Sequence, residues 1–462
     1  MIVFSNKPVQ VFGALIIALL AAALSLRSTK TEQQPPVIER HPEIIVHFAS
    51  WPKIEPKIAR MSAHARIKSP SSRPAIFHQL PAPKSSDASG FNFTPNWIRP
   101  PGIQGLKGLN DDMAMFVSRW TGEDHLMIHN YVQKLIRDID PAVVVLDMFH
   151  RPGMDATRGD NRLHAILSPN VLADVFENRT EESSLGSGHD FPVPWRDIPS
   201  NIYQMGSFAW AMLFNPELVE KRKFLASHNL EDPIGFFTIH QPGNGVFISQ
   251  DTAAASIPLS SVPANVTTTG PIVISVASAA EQDIDLTLWL RRAPTVLINL
   301  GSLFEYDADR ASSMAGALEA VLRRTSVQVL WKMNTRLDDK EWRPLVEEFI
   351  ANDRLRVLKW LTVDPAALLE TGDIIASVHH GGANCYHEAL AVEQVGIGIW
   401  GNRKSAPGFS LDELSEALLR LVDGGPESVA KRDNARAIQQ TLRRPGRDIA
   451  ADEIARLAAK GI

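Results

Sequence analysis

From Pro294 to Gly382 short apolar runs alternate with stretches of helical spacing, and this alternation restricts the chain more than any other feature. Thr295-Val296-Leu297-Ile298-Asn299-Leu300 reads as a buried strand and is followed by Gly301-Ser302. Helical spacing then covers Ala311 to Arg324, strand Val327 to Lys332, helix Trp342 to Asn352, strand Arg356 to Leu358 and helix Asp364 to Glu370. A last strand, Ile374 to Val378, runs into His379-His380-Gly381-Gly382. Strands separated by helices cannot pair as hairpins, so the pattern predicts a parallel, doubly wound α/β sheet. Such sheets bind ligands at the carboxyl ends of their strands.

The first half repeats the theme less regularly. Ile2 to Ser5 and Ile44 to Ala49 read as strands, Val143 to Leu146 as a buried strand closing on Asp147, and His164 to Leu167 as another. Apolar spacing from Asp111 to Asp138 is helical, and Pro216 to His228 reads as a helix with Asn215 as its cap. Ser69 to Pro101 reads as a long surface excursion, and Thr252 to Thr269 as a connection between domains. With 462 residues there is room for two large domains. The expected division is a Rossmann-like domain over 1–270, a linker over 271–292, a second Rossmann-like domain over 293–440 and a terminal helical segment over 441–462.

Composition excludes several classes. Lys+Arg 47 against Asp+Glu 52 leaves a net charge of -5, a poor match to the phosphate backbone of nucleic acids. A single cysteine, Cys385, excludes a disulfide framework and a multi-cysteine metal cluster, and fits a reducing, cytoplasmic-facing setting. Val11 to Leu26 is the one long apolar stretch; its 16 residues would span about 24 Å as a helix, less than the roughly 30 Å hydrocarbon core. Two readings stand at even weight. Segment 11–26 is either a membrane anchor for the body behind it or the buried first helix of a βαβ unit.

The stretch from His379 to Leu390 carries the most chemistry. A strand breaks into paired glycines and a helix opens, so free amides and the helix dipole converge where a phosphate can sit. His380 is placed to donate to the same phosphate. Asn384 and Glu388 are four apart and share a helix face, which sets Glu388 to accept from vicinal hydroxyls such as those of a ribose. The alternative is a tight turn with a capped helix. Cys385, at that helix start, occupies a position where a thiol pKa is lowered. His379, His380 and His387 lack metal-ligand spacing, and no metal is expected.

These residues resemble the donor motif of the fungal GT-B-fold glycosyltransferases of the UDP-glycosyltransferase family. In that family a Trp that stacks on the uracil, matched by Trp360, precedes a His-x-Gly-x-Asn-x-x-x-Glu signature, matched by His380, Gly382, Asn384 and Glu388. Gly301-Ser302 matches the family's Gly-Ser turn near the phosphates, and Cys385 its small-residue slot. The resemblance runs from about His41 to the C-terminus. It implies the GT-B fold, two Rossmann-like domains facing an interdomain cleft, with the terminal helix packed back on the first domain. It further implies a nucleotide-diphosphate sugar as donor substrate, no permanently bound cofactor, and a lipophilic small-molecule acceptor. Asp147 matches the carboxylate that orients the family's catalytic histidine.

Two departures accompany the match. The loop expected to carry that histidine, Asn6 to Gln10, contains none, and His47 and His150 are read as structural. After Leu390 the chain passes directly into Ala391 to Gly401, where the family has a further strand and the residues that bind the sugar hydroxyls. Three readings stay open: an active glycosyltransferase, a catalytically impaired protein of the same shape that binds a nucleotide or a partner, and a gene reading that omits residues at those two places.

Overall fold

The computed structural model describes residues 2–4, 44–82, 99–170, 172, 187–190, 192–235, 245–252, 262–272, 277–301, 304–335, 338–380 and 396–460. The described residues form two parallel sheets. The first contains β1 (Ile2–Phe4), β2 (His47–Ser50), β3 (Ile76–Gln79), β4 (Val144–Asp147), β5 (His164–Ser168), β6 (Gly245–Ser249) and β7 (Val266–Thr268), in the order β3-β2-β1-β4-β5-β6-β7. The second contains β8 (Thr295–Asn299), β9 (Gln328–Lys332), β10 (Leu355–Leu358) and β11 (Ile374–Val378), in the order β10-β9-β8-β11.

Period-two alternation of each strand feeds two cores, one on each sheet face. Val143, Val145, Ala165 and Leu167 enter one core of the first sheet, while Val144, Leu146 and Ile166 enter the other. In the second sheet Val296, Ile298, Val329 and Trp331 face one side, and Leu297 and Leu330 the opposite side. Helices cover both faces, as parallel sheets require. Their starts are capped by side chains placed in the sequence for that purpose. Asn215 accepts from the amides of Glu217 and Leu218, Thr121 from Asp124, Asp307 from Arg310 and Ser410 from Glu413.

Four sequence expectations change. The continuous helical spacing over 111–138 is broken: helices Ile103–Asp111, Met113–Val117 and Gly122–Ile139 replace it. The break is held by buried cations, with Arg151 Nε donating to the Val117 carbonyl at 3.1 Å and Lys221 Nζ to the Ser118 carbonyl at 2.8 Å. Within the expected excursion 69–101 lies β3, an edge strand whose partly exposed Ile76-Phe77-His78-Gln79 shows no apolar run. The expected connection 252–269 supplies edge strand β7. Within 271–292, helices Ala279–Gln282 and Ile284–Leu290 bury Leu286, Trp289 and Leu290 against Leu297 and Leu330, so these two helices are part of the second sheet's core.

The last helix, Gly446–Ala458, lies on the first sheet: Ala450, Ala451, Ile454 and Leu457 join the core of Val46, Phe48 and Val145. Gly446 permits this approach, since a Cβ there would stand 2.6 Å from the carbonyl oxygens of Gly270 and Pro271. Strand β1, three residues long, is central, paired with β2 and β4. No helix among the described residues is long and apolar enough to cross a membrane, and segment 11–26 lies outside them.

Candidate active site

The carboxyl edge of the second sheet gathers residues from all four strands. Gly301 follows β8, Lys332 ends β9, Trp360 follows β10 and His380 follows β11. Because β8 pairs with both β9 and β11, the order 10-9-8-11 reverses direction at β8, which is where doubly wound sheets open their binding crevice.

Gly301 adopts φ +84°, and a Cβ on it would stand 2.5 Å from His380 Cε1, so the turn and the imidazole are in direct contact. Only glycine tolerates both the left-handed backbone and that approach. Asn299 Oδ1 accepts from the Gly301 amide at 3.2 Å and holds the turn. The Gly301 carbonyl accepts from Lys332 Nζ at 2.7 Å, and the same ammonium lies 4.1 Å from the centroid of the Trp360 ring. Lys332 is buried, with 6% of its surface exposed, while Trp360 is 60% exposed. Burial lowers the Lys332 pKa; burial, then the neighbouring Lys332 charge, lowers that of His380. A neutral His380 keeps one ring N–H for an anionic ligand and presents a lone pair on the other nitrogen.

Of the sequence-predicted donor residues, Gly301, Trp360 and His380 are thereby brought together. Ser302, Gly382, Asn384, Cys385 and Glu388 lie outside the described residues. Lys332 is the residue that the sequence reading passes over. Its signal was a charged side chain closing a strand, Gln328–Lys332, that is buried along its whole length.

In the first domain Asp147 closes β4 and is buried. Its Oδ1 accepts from the Phe149 amide at 2.7 Å, while Oδ2 has no hydrogen-bond partner among the described residues. Burial pushes its pKa up to about 7, against the opposing pull of the Phe149 amide, Arg119 and Arg151. Strand β1 ends at Phe4, in register with Leu146, one residue before Asp147. The expected base loop, Asn6 to Gln10, lies outside the described residues.

His150 and His47 are built into the scaffold. His150 is fully buried beside Trp120, its Nδ1 accepts from the Gly153 amide at 3.1 Å at the start of helix Arg151–Gly159, and burial depresses its pKa to about 3. His47 opens β2 and stacks on His78 with 5.2 Å between centroids, at the end of the strand remote from the carboxyl edge.

Segment 192–214 leaves large apolar side chains in solvent. Trp195, Ile202, Tyr203, Trp210 and Phe214 are all at least half exposed. Asp190, just before it, pairs with Arg403 of the second domain at 3.2 Å.

Comparison with known proteins adds the following. No protein-family model matches the chain. Glycosyltransferase sdnJ of Sordaria araneosa is 30% identical over 434 aligned residues, covering 83% of this chain and 82% of that protein. Among solved structures, the chain is similar to CalG4, the calicheamicin glycosyltransferase, at 12% identity and TM-score 0.58, over 99% of this chain and 98% of that one. It is likewise similar to UGT71G1 of Medicago truncatula, solved with UDP-glucose, at 11% identity and TM-score 0.57, over 100% and 97%. The glycotransferase of kitacinnamycin matches at 15% identity and TM-score 0.61, over 99% and 98%. At these identities the structural matches speak to the fold.

Proposed function

This chain belongs to the glycosyltransferase family and has the GT-B fold, and from that membership we propose that it transfers a sugar from a UDP-sugar to a hydroxyl of a lipophilic small molecule. The observation that carries the reading is the convergence of Gly301, Lys332, Trp360 and His380 at the carboxyl ends of four adjacent strands. The half-exposed Trp360 face suits a uracil, and the Gly301 turn beside neutral His380 suits a diphosphate. Ser302, Gly382, Asn384, Cys385 and Glu388 complete the donor site in this reading, with Glu388 on the ribose. A metal ion is not assigned, because amides and side chains supply the charge stabilisation.

The reaction is a single displacement. The acceptor oxygen bonds to the anomeric carbon as the bond from that carbon to the diphosphate breaks, the hydroxyl proton passes to a base, and UDP leaves with the electron pair. Asp147, with one buried oxygen unpartnered among the described residues, is assigned as the carboxylate that orients the base. The apolar side chains of 192–214 favour an acceptor of lipid or secondary-metabolite type. A cytoplasmic-facing body belongs to the same proposal, with segment 11–26 either its membrane anchor or the first helix of a βαβ unit. The division into acceptor domain 1–270 and donor domain 293–440 follows the same assignment.

Titration of the purified chain with UDP, followed by incubation with UDP-glucose and a panel of long-chain and aromatic alcohols, tests the reading. Saturable UDP binding, with equimolar glycoside and UDP released, is the expected result. Trp360→Ala should weaken uridine binding by about 1–3 kcal/mol, the value of a base–aromatic stack. UDP binding without transfer across the panel would assign the chain to the non-catalytic nucleotide-binding class, and absence of UDP binding would refute the donor site altogether.

A further inference from the structure

We propose that Lys332 is a positioning residue of the donor site, which it serves by clamping the Trp360 indole from behind. The proposal rests on the donor-site reading above and adds to it a residue and a way of acting. Lys332 Nζ is fastened at two points: it donates to the Gly301 carbonyl at 2.7 Å and sits 4.1 Å from the Trp360 ring centroid. Both anchors lie at the carboxyl edge but on different strands, one after β8 and one after β10, with β9 between them. A cation on one face of an indole is attracted by the ring quadrupole, and more strongly when it is desolvated. Here the lysine is 6% exposed and the tryptophan 60% exposed, so the cation covers the inner face and the outer face stays open.

The consequence is a three-layer stack of ammonium, indole and pyrimidine, with only the last exchangeable. An exposed tryptophan otherwise samples several rotamers, and ordering it on binding costs free energy. Lys332 removes that cost in advance. It also ties the ring to the phosphate turn, since the carbonyl it grips belongs to Gly301, whose Cα packs on His380. The base-stacking and phosphate-facing parts of the site are therefore linked through one buried charge. Lys332 itself touches neither the base nor the phosphates in this arrangement.

A double-mutant cycle separates this role from a direct phosphate contact. Dissociation constants for uridine and for UDP are measured by calorimetry on wild type, Lys332→Met, Trp360→Ala and the double variant, with circular dichroism to confirm folding. Lys332→Gln, which keeps a donor for the Gly301 carbonyl and loses the charge, carries the test where Lys332→Met does not fold. The expected result is a loss of roughly 5- to 30-fold for uridine and UDP alike, the range of a partly desolvated cation–π contact. That loss should vanish in the Trp360→Ala background, and Lys332→Arg should restore most of the affinity. Unchanged binding in Lys332→Met or Lys332→Gln, with wild type binding UDP, would overturn the clamp and leave the donor site standing. A loss confined to UDP and persisting in Trp360→Ala would overturn it in favour of a phosphate ligand. Failure of wild type to bind UDP would remove the donor-site reading and this proposal together.

Discussion

Replacing Asp147 by asparagine should stabilise the protein relative to wild type by an amount that grows as pH rises from about 4 to 7. The native carboxyl is buried, its Oδ1 accepts a single backbone hydrogen bond, and its pKa rises from 3.8 to about 7. A carboxyl with a raised native pKa contributes stability that is fully present below its unfolded pKa and lost as pH climbs through the native value. The window is therefore about pH 4 to 7. At about 1.36 kcal/mol per pKa unit, integration between pH 5 and pH 8 gives a loss of about 2–3 kcal/mol in wild type that the variant escapes. Asparagine keeps the Phe149 bond through its own Oδ1 and matches the carboxyl in shape, so packing stays constant. Urea unfolding of both proteins at pH 5, 6, 7 and 8, extrapolated linearly to water, measures the difference. It should grow with pH and level off above about pH 8. A difference constant across that range would show that the carboxylate ionises normally in the native state and would refute the buried-acid argument. Turnover is the second readout: if Asp147 orients a base, kcat/KM should fall by about a hundredfold or more, while UDP affinity holds.

Gly301→Ala forces a Cβ to within 2.5 Å of His380 Cε1 at a φ of +84°, so it should cost more than about 1 kcal/mol of stability and weaken UDP binding about tenfold by displacing the imidazole, as read by thermal melting and calorimetry. His125 Nε2 and Asp155 Oδ2 form a buried hydrogen-bonded pair at 2.9 Å; His125→Ala removes that partner and should cost about 1–3 kcal/mol in denaturant titration. Asn215→Ala removes the side-chain cap of helix Pro216–Ser227 and should cost about 1 kcal/mol without changing UDP affinity, which makes it a control for folding effects on the donor site.

Legibility in the sequence followed burial. Strands β8 and β9 were readable nearly residue for residue, because a strand covered on both faces reads as a nearly continuous apolar run. Strand β4 and the acid that closes it were readable for the same reason. Strand β11, an edge strand of intermediate burial, was readable from its Ile374-Ile375 start. Edge strands β3 and β7 were not: Ile76-Phe77-His78-Gln79 and Val266-Thr267-Thr268 lie at the margins of the sheet, where solvent satisfies part of their surface and selection for apolar residues is weak. The split of 111–138 into separate helices escaped notice because the break is held by Arg151 and Lys221, residues far along the chain.

The sequence by itself determined the alternating parallel architecture and the strand closed by Asp147, and it singled out Gly301, Trp360 and His380, the residues proposed for the donor site, since each depends on local period or on a motif read along the chain. Tertiary structure alone decided what those residues touch. Whether Lys332 meets Gly301 and Trp360 depends on β9 lying between β8 and β10, and whether Gly301 packs on His380 depends on β11 lying beside β8. Strand order in a parallel sheet is set by long crossovers and the packing of both faces, and no local spacing of residues encodes it.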